Sequence, residues 1–257
     1  MDLAIVIATH NQNNLRLKNC IRTFLYQETT HSYGIYIIDY ASTDNLRPTL
    51  EELGSDKIFY LHVDKEPLNK AHANNIALKV IDADIICVTD GYCIVPMQTV
   101  EYLCTETKDD TLLLYVRRPY FIPENLWSDS SITPADYERL RTADTQWLDE
   151  NMAIGLGPHK KRLFAARRQR FIEINGYDES LAYDEDVDIV RRLLQHGCIL
   201  TDLSLYIDAA YQPSQEDWIA KPIQGPLKKL DMSRGEAHSA LWRKDPRRNL
   251  NQEWGVL

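Results

Sequence analysis

Leu3-Ala4-Ile5-Val6-Ile7-Ala8-Thr9 is a continuous apolar run that ends on a hydroxyl and passes into the polar stretch His10-Asn11-Gln12-Asn13-Asn14. An unbroken apolar run with β-branched residues describes a strand buried on both faces, as in the interior of a parallel sheet. It is too short to span a bilayer and lacks the basic leader of a signal peptide. Outward from it, Gly34-Ile35-Tyr36-Ile37-Ile38-Asp39 and Asp84-Ile85-Ile86-Cys87-Val88-Thr89-Asp90 repeat the pattern, each ending on a carboxylate. Residues 58–63 and 111–116 read as further strands. Helical spacing covers 15–27, 42–53 and 69–81, and another helix follows Pro96. Ser42-Thr43-Asp44 supply N-capping residue types for the second of these, with Asp44 as the cap. Strands alternating with helices at this spacing give βαβ units and a mainly parallel sheet. Ligands of such sheets bind beyond the carboxyl ends of the strands, where Thr9, Asp39 and Asp90 all fall.

The second half is less regular. Residues 117–161 are broken by prolines and carry Trp127 and Trp147. A strand is expected over 163–167, a short helix over 168–174 and a late strand over 200–211. Between them lie Asn175-Gly176-Tyr177-Asp178-Glu179, a turn, and Tyr183-Asp184-Glu185-Asp186-Val187-Asp188, which opens an apolar-periodic helix. Carboxylates at a helix N-terminus are stabilised by its unpaired N–H groups and macrodipole, so a capped helix and a catalytic cluster both fit this stretch read alone.

With 257 residues, 44% hydrophobic and 26% charged, the chain has the size and composition of one large globular domain. A net charge of −9 argues against general nucleic-acid binding. The five cysteines form no CxxC pair, so neither a zinc site nor a disulfide framework is suggested, and a reducing cytoplasm is the expected setting. The tail is basic from Lys221 onward (Lys228, Lys229, Arg234, Arg243, Lys244, Arg247, Arg248). Solvated helix faces account for it, as would a lid, a contact between copies or a peripheral membrane surface.

Four blocks in order resemble the family 2 inverting glycosyltransferases of GT-A fold. They are Ile5-Val6-Ile7-Ala8-Thr9-His10-Asn11; Ile37-Ile38-Asp39-Tyr40-Ala41-Ser42-Thr43-Asp44, similar to V-D-D-G-S-T-D; Ala73-Asn74-Asn75 with the strand into Asp90, similar to A-R-N and D-x-D; and the Asn175–Arg192 stretch, similar to G-G-F-D-E followed by G-E-D-x-D-L and an Arg. The resemblance implies a Rossmann-like, mainly parallel sheet flanked by helices. It divides the chain into a catalytic domain over 1–211 (nucleotide half 1–116, acceptor half 117–211) and a C-terminal extension over 212–257. It implies a nucleotide-sugar donor, UDP-linked, and a carbohydrate or glycoconjugate acceptor. Thr9, Asn11, Asp39, Asp90 and Arg167 would bind the donor, with Asp39 accepting from the N3–H of uracil. Asp186 would be the general base, Glu185 would hold an acceptor hydroxyl, and Trp147 and Asp188 would line the acceptor site.

The departures concern the metal. The D-x-D position reads Asp90-Gly91-Tyr92, the late strand has Tyr211 and no His, and the Arg of A-R-N is Asn74. Neutral Tyr is a poor ligand for Mn²⁺ or Mg²⁺. Either Asp90, with Asp208 and the donor phosphates, holds a metal differently, or Arg167, Arg168 or a basic tail residue neutralises the leaving diphosphate. The loss of both ligands favours weak or absent metal dependence. A degenerate domain that binds a nucleotide sugar or a protein without catalysis is the competing reading. A nucleotidyltransferase is disfavoured, because residues 9–14 contain neither Gly nor Lys.

Overall fold

A computed structural model of the chain describes residues 1–12, 14–65, 68–114, 120–121, 163–181, 185–203, 210–211 and 254–256. In chain order the elements are β1 (Leu3–Thr9), α1 (Asn14–Leu25), β2 (Tyr33–Tyr40), α2 (Arg47–Glu51), β3 (Ile58–Val63), α3 (Lys70–Val80), β4 (Ile85–Thr89), β5 (Cys93–Ile94), α4 (Thr99–Glu106), β6 (Thr111–Leu114), β7 (Tyr120–Phe121), β8 (Leu163–Arg167), α5 (Arg168–Glu173), α6 (Glu185–Gln195), β9 (Ile199–Asp202) and β10 (Ala210–Tyr211). The larger sheet has seven strands in the order β3-β2-β1-β4-β8-β6-β9. β1 pairs in parallel with both β2 and β4, and its register sets Thr9 opposite Asp39. β8 alone runs antiparallel to its neighbours β4 and β6.

The apolar run that opens the chain feeds two cores. Leu3, Ile5 and Ile7 point to one face and meet Leu17, Ile21 and Phe24 of α1 with Val100 and Leu103 of α4. Ala4 and Val6 point to the other and meet α3, Phe171 of α5, and Ile189, Val190 and Leu193 of α6. Strand side chains alternate with period two, so a strand covered by helices on both faces must be apolar throughout. The facing side of α3 is rich in alanine (Ala71, Ala73, Ala77), which lets its backbone approach the sheet closely.

The expected helix over 42–53 is shorter and starts later. Its N-cap is Leu46, which makes no side-chain cap, and Pro48 stands in its first turn. Proline has no N–H and is accommodated only there, so it fixes the start of the helix. Asn45, not Asp44, accepts the N–H of Arg47 through its Oδ1 at 3.0 Å. The expected late strand over 200–211 divides in two. β9 runs along β6 at the edge of the main sheet, while β10 joins β5 and β7 in a small second sheet. There Tyr211 is opposite Cys93, immediately beyond Asp90-Gly91-Tyr92. Trp127, Trp147, Asp184, Asp208 and the basic tail up to residue 253 lie outside the described residues.

Candidate active site

The loops that follow β1 and β2 are bolted together at the carboxyl edge of the sheet. The N–H of Asn11 donates to Ser42 Oγ at 2.8 Å, and Asn11 Oδ1 accepts from the N–H and hydroxyl of Thr43 at 2.8 and 3.0 Å. His10 Nδ1 lies 2.6 Å from the carbonyl of Tyr40. Asn11 (φ 45°) and Ala41 (φ 52°) both take left-handed backbone to make these turns. The carboxamide oxygen of Asn11 is therefore committed to shaping the loop. Thr9 is buried beside it, and its hydroxyl donates to Gln12 Oε1 at 3.2 Å. Gly91 is what permits this closeness: a Cβ there would come within 2.5 Å of Gln12 Oε1.

Asp39 is fully buried. Its Oδ2 accepts from the Tyr60 hydroxyl at 2.7 Å and lies 3.2 Å from His62 Nδ1. Its Oδ1 is buried with no hydrogen-bond partner. Burial, together with the Asp39 carboxylate, pushes the Tyr60 phenol far above its ordinary range, so it stays a donor. A buried acceptor left unmade costs about 1–3 kcal/mol, which a ligand donating an N–H would offset.

Asp90, at the end of β4, has both carboxylate oxygens engaged. Oδ1 accepts from Lys70 Nζ at 2.6 Å and Oδ2 from the Tyr92 hydroxyl at 2.7 Å. Lys70 also stands 4.0 Å from Glu185 Oε1. Burial alone would pull the Lys70 ammonium down. The charges of Asp90, Asp186 and Glu185 outweigh that and hold it well above the usual lysine range. Sequence reasoning did not find Lys70. A signal existed, since a cation in the first turn of a helix opposes the macrodipole and needs another reason to be there. The metal implied by the D-x-D resemblance does not fit these residues. Each oxygen of Asp90 already accepts from a donor, Lys70 or Tyr92, Tyr92 replaces the second carboxylate, and the described residues hold no group of three or more His, Cys, Asp or Glu placed for a metal.

The acidic stretch is held by devices the sequence only partly announces. Asn175 and Gly176, both at positive φ, end α5 with the N–H of Gly176 on Phe171 O (2.8 Å) and that of Asn175 on Ile172 O (3.0 Å), the paired bonds of a Schellman cap. Asn75 of α3 then clamps the next residue. Its Oδ1 accepts the N–H of Tyr177 at 2.7 Å, and its Nδ2 donates to Tyr177 O at 3.0 Å and to Glu179 Oε1 at 2.7 Å. Asn69 Nδ2 adds a bond to Glu179 O at 2.8 Å. The C-terminal Gly255 N–H reaches the same Glu179 Oε1 at 2.8 Å, beside a buried Trp254. Glu185 and Asp186 follow in the first turn of α6 and, with Lys70 and Asp90, gather at one edge of the sheet.

Two expected site residues lie elsewhere. Asp188 is fully buried and meets Arg192 at 2.7 Å, and Arg192 donates to the carbonyls of Ile174 and Gly176 at 3.0 and 2.7 Å. That pairing braces α6 against the Schellman turn. Arg167 pairs with Ile85, at the amino end of β4, because β8 is antiparallel. It is separated from Asp90 by roughly 16 Å of strand, and its Nε faces Asp109 Oδ1 at 3.6 Å. Arg168 binds Leu78 O at 2.8 Å on the same far side. His72 is a buried strut between Tyr40 Oη and Val256 O, each at 2.9 Å.

An open, mostly parallel α/β sheet with its polar side chains gathered at the carboxyl edge has the architecture of the GT-A fold. The chain belongs to glycosyl transferase family 2, whose profile matches residues 4–171. No curated protein matches it in sequence. Among solved structures it is similar to mannosyltransferase PcManGT from Pyrobaculum calidifontis in complex with GDP-Man and Mn²⁺ (TM-score 0.54, 19% identity), covering 78% of this chain and 54% of that one. It is also similar to S. aureus TarS 1–349 in complex with UDP (TM-score 0.58, 13% identity), covering 83% and 61%. The chain thus matches little more than half the length of these proteins.

Proposed function

We propose that the chain is an inverting glycosyltransferase that moves a sugar from a UDP-sugar to a hydroxyl of a carbohydrate or glycoconjugate. The observation that carries this reading is the lone buried acceptor of Asp39 at the nucleotide edge. Uracil offers a single N–H between two carbonyls, which one free carboxylate oxygen satisfies. Guanine offers two adjacent donors and would want both oxygens, but Tyr60 and His62 already hold Oδ2. UDP is the nucleotide of the TarS complex and GDP-Man that of the mannosyltransferase complex, so the family alone leaves the base open.

In the reaction, Asp186 takes the proton from the acceptor hydroxyl as its oxygen attacks the anomeric carbon. The bond from that carbon to the diphosphate oxygen breaks, its electron pair leaves with UDP, and a single displacement inverts the centre. Glu185, beside the base in the first turn of α6, positions the acceptor. Because the residues around Asp90 do not suit a divalent cation, transfer proceeds with weak or no metal dependence. No helix among the described residues is long and apolar enough to cross a membrane. Five free thiols fit a reducing compartment, and we assign the cytoplasm.

The test is a panel of nucleotides and sugar nucleotides followed by calorimetry and by release of free nucleotide. UDP should bind at least tenfold more tightly than GDP, and some UDP-sugar should be turned over. Preference for GDP would contradict the uracil assignment. Absence of binding across the panel would leave a protein-interaction role in its place.

A further inference from the structure

We propose that the Lys70 ammonium is the built-in cation of this site, standing between Asp90 and the carboxylates of α6 and binding the diphosphate of the donor there. The proposal rests on the donor reading above. Lys70 is the first residue of α3, and Asn69 caps that helix by accepting the N–H of His72 at 2.9 Å. The helix start is thus fixed, and with it the root of the lysine. The ammonium has three N–H donors. Asp90 Oδ1 takes one at 2.6 Å, while Glu185 Oε1, at 4.0 Å, is beyond hydrogen-bond distance. The remaining donors have no hydrogen-bond partner among the described residues, at an edge where the N–H groups opening α3 add positive potential.

One turn along the same helix face lies Asn74, only 1% exposed, with neither amide atom hydrogen-bonded. A buried carboxamide without partners is costly, and it sits next to Lys70 in the i, i+4 relation. Lysine and asparagine together thus offer charge and unsatisfied hydrogen-bond capacity on one side of α3. The Asp90–Lys70 contact also explains Tyr92. With an ammonium on Oδ1, a neutral hydroxyl on Oδ2 completes the carboxylate, where a second carboxylate would add repulsion. The site has replaced an exchangeable cation by one fixed in the sequence.

The experiment compares wild type with Lys70→Met, which keeps length and removes charge. Mn²⁺ alone is titrated and followed by loss of the free-ion EPR signal. Uridine and UDP are titrated separately in EDTA. Lys70→Met leaves Asp90, Glu185 and Asp186 uncompensated, so it should take up Mn²⁺ at least tenfold more tightly than wild type, and Asp90→Asn added to it should remove that gain. Wild type should bind UDP at least tenfold more tightly than uridine without metal, and Lys70→Met should lose that margin while uridine binding stays. Equal Mn²⁺ uptake by both proteins, or an unchanged margin, overturns the proposal. If Lys70→Met fails to fold in EDTA, Mn²⁺ must restore its melting transition, and failure to do so also overturns it. Uridine binding reports the donor reading separately. Its absence in wild type would sink that reading and leave the Mn²⁺ titration to judge Lys70.

Discussion

Asp39 shows how a single carboxylate is divided between fold and function. Tyr60 and His62 fix one oxygen, and Arg47 lies 5.4 Å from the centre of the Tyr60 ring, which steadies the phenol. The other oxygen has no hydrogen-bond partner, and in the proposed reading it accepts from the base of the donor. A hydrogen bond to a charged group contributes about 1.5–3 kcal/mol, so Asp39→Ala should weaken uridine binding roughly 10- to 100-fold. Calorimetry with uridine reads this directly, and unchanged affinity would show that the base binds elsewhere. Tyr60→Phe should cost less, since it frees the orientation of the carboxylate without removing it. The place of Asp39 near the end of β2 was legible in the sequence because a strand that ends on an acid is a local pattern. Lys70 was legible only as a cation set against the helix macrodipole; its partners appear only once the fold brings Asp90 and Glu185 around it.

The elements themselves were readable where burial dictated the pattern. β1, β2 and β4 are covered on both faces, which their apolar runs express, and α3 and α6 announced themselves through helical spacing, α6 also through the carboxylates at its start. The departures arise where the sequence signal is shared between elements. The described ends of 200–211 serve two sheets, and Pro48 moved the start of α2 past its capping residues. At α6, Asp188, which the resemblance placed at the acceptor site, is fully buried beside Arg192. Removing one partner of a buried ion pair costs about 3–5 kcal/mol. Asp188→Ala should therefore lower Tm by several degrees to roughly 20 °C, with uridine affinity preserved in the folded fraction. A variant with unchanged Tm and a raised KM for acceptor would return Asp188 to the acceptor site.

Over the whole molecule, the last described residues close onto the acidic loop. Trp254 is buried under Lys79, whose ammonium lies 3.9 Å from the ring centre, and Gly255 reaches Glu179 through its N–H. A Cβ on Gly255 would come within 2.6 Å of Asn75 O, and Gly255 itself has φ 68°, so this closure requires glycine. Nothing in the sequence links residue 254 to residue 179; the contact exists only once α3 has brought Asn75 between them. Trp254→Ala should cost about 3–5 kcal/mol of stability and lower turnover more than UDP affinity, because the strap holds the acidic side of the site. Thermal melts and paired kcat and UDP-binding measurements check both parts. If affinity for UDP fell as steeply as turnover, the strap would belong to the nucleotide side instead.

In the proposed reading the site joins Asp39 as the acceptor for the base, Lys70 as a fixed cation and Asp186 as the general base. Its most direct test is the rate of UDP release from a UDP-sugar in EDTA, measured for wild type and Asp186→Asn. A general base contributes about 10²–10⁴-fold. Wild type should keep its rate within twofold of the metal-supplemented value, and Asp186→Asn should fall by at least about 100-fold while still binding UDP. Activity that vanishes in EDTA and returns with Mn²⁺, or an Asp186→Asn variant as fast as wild type, would contradict the account.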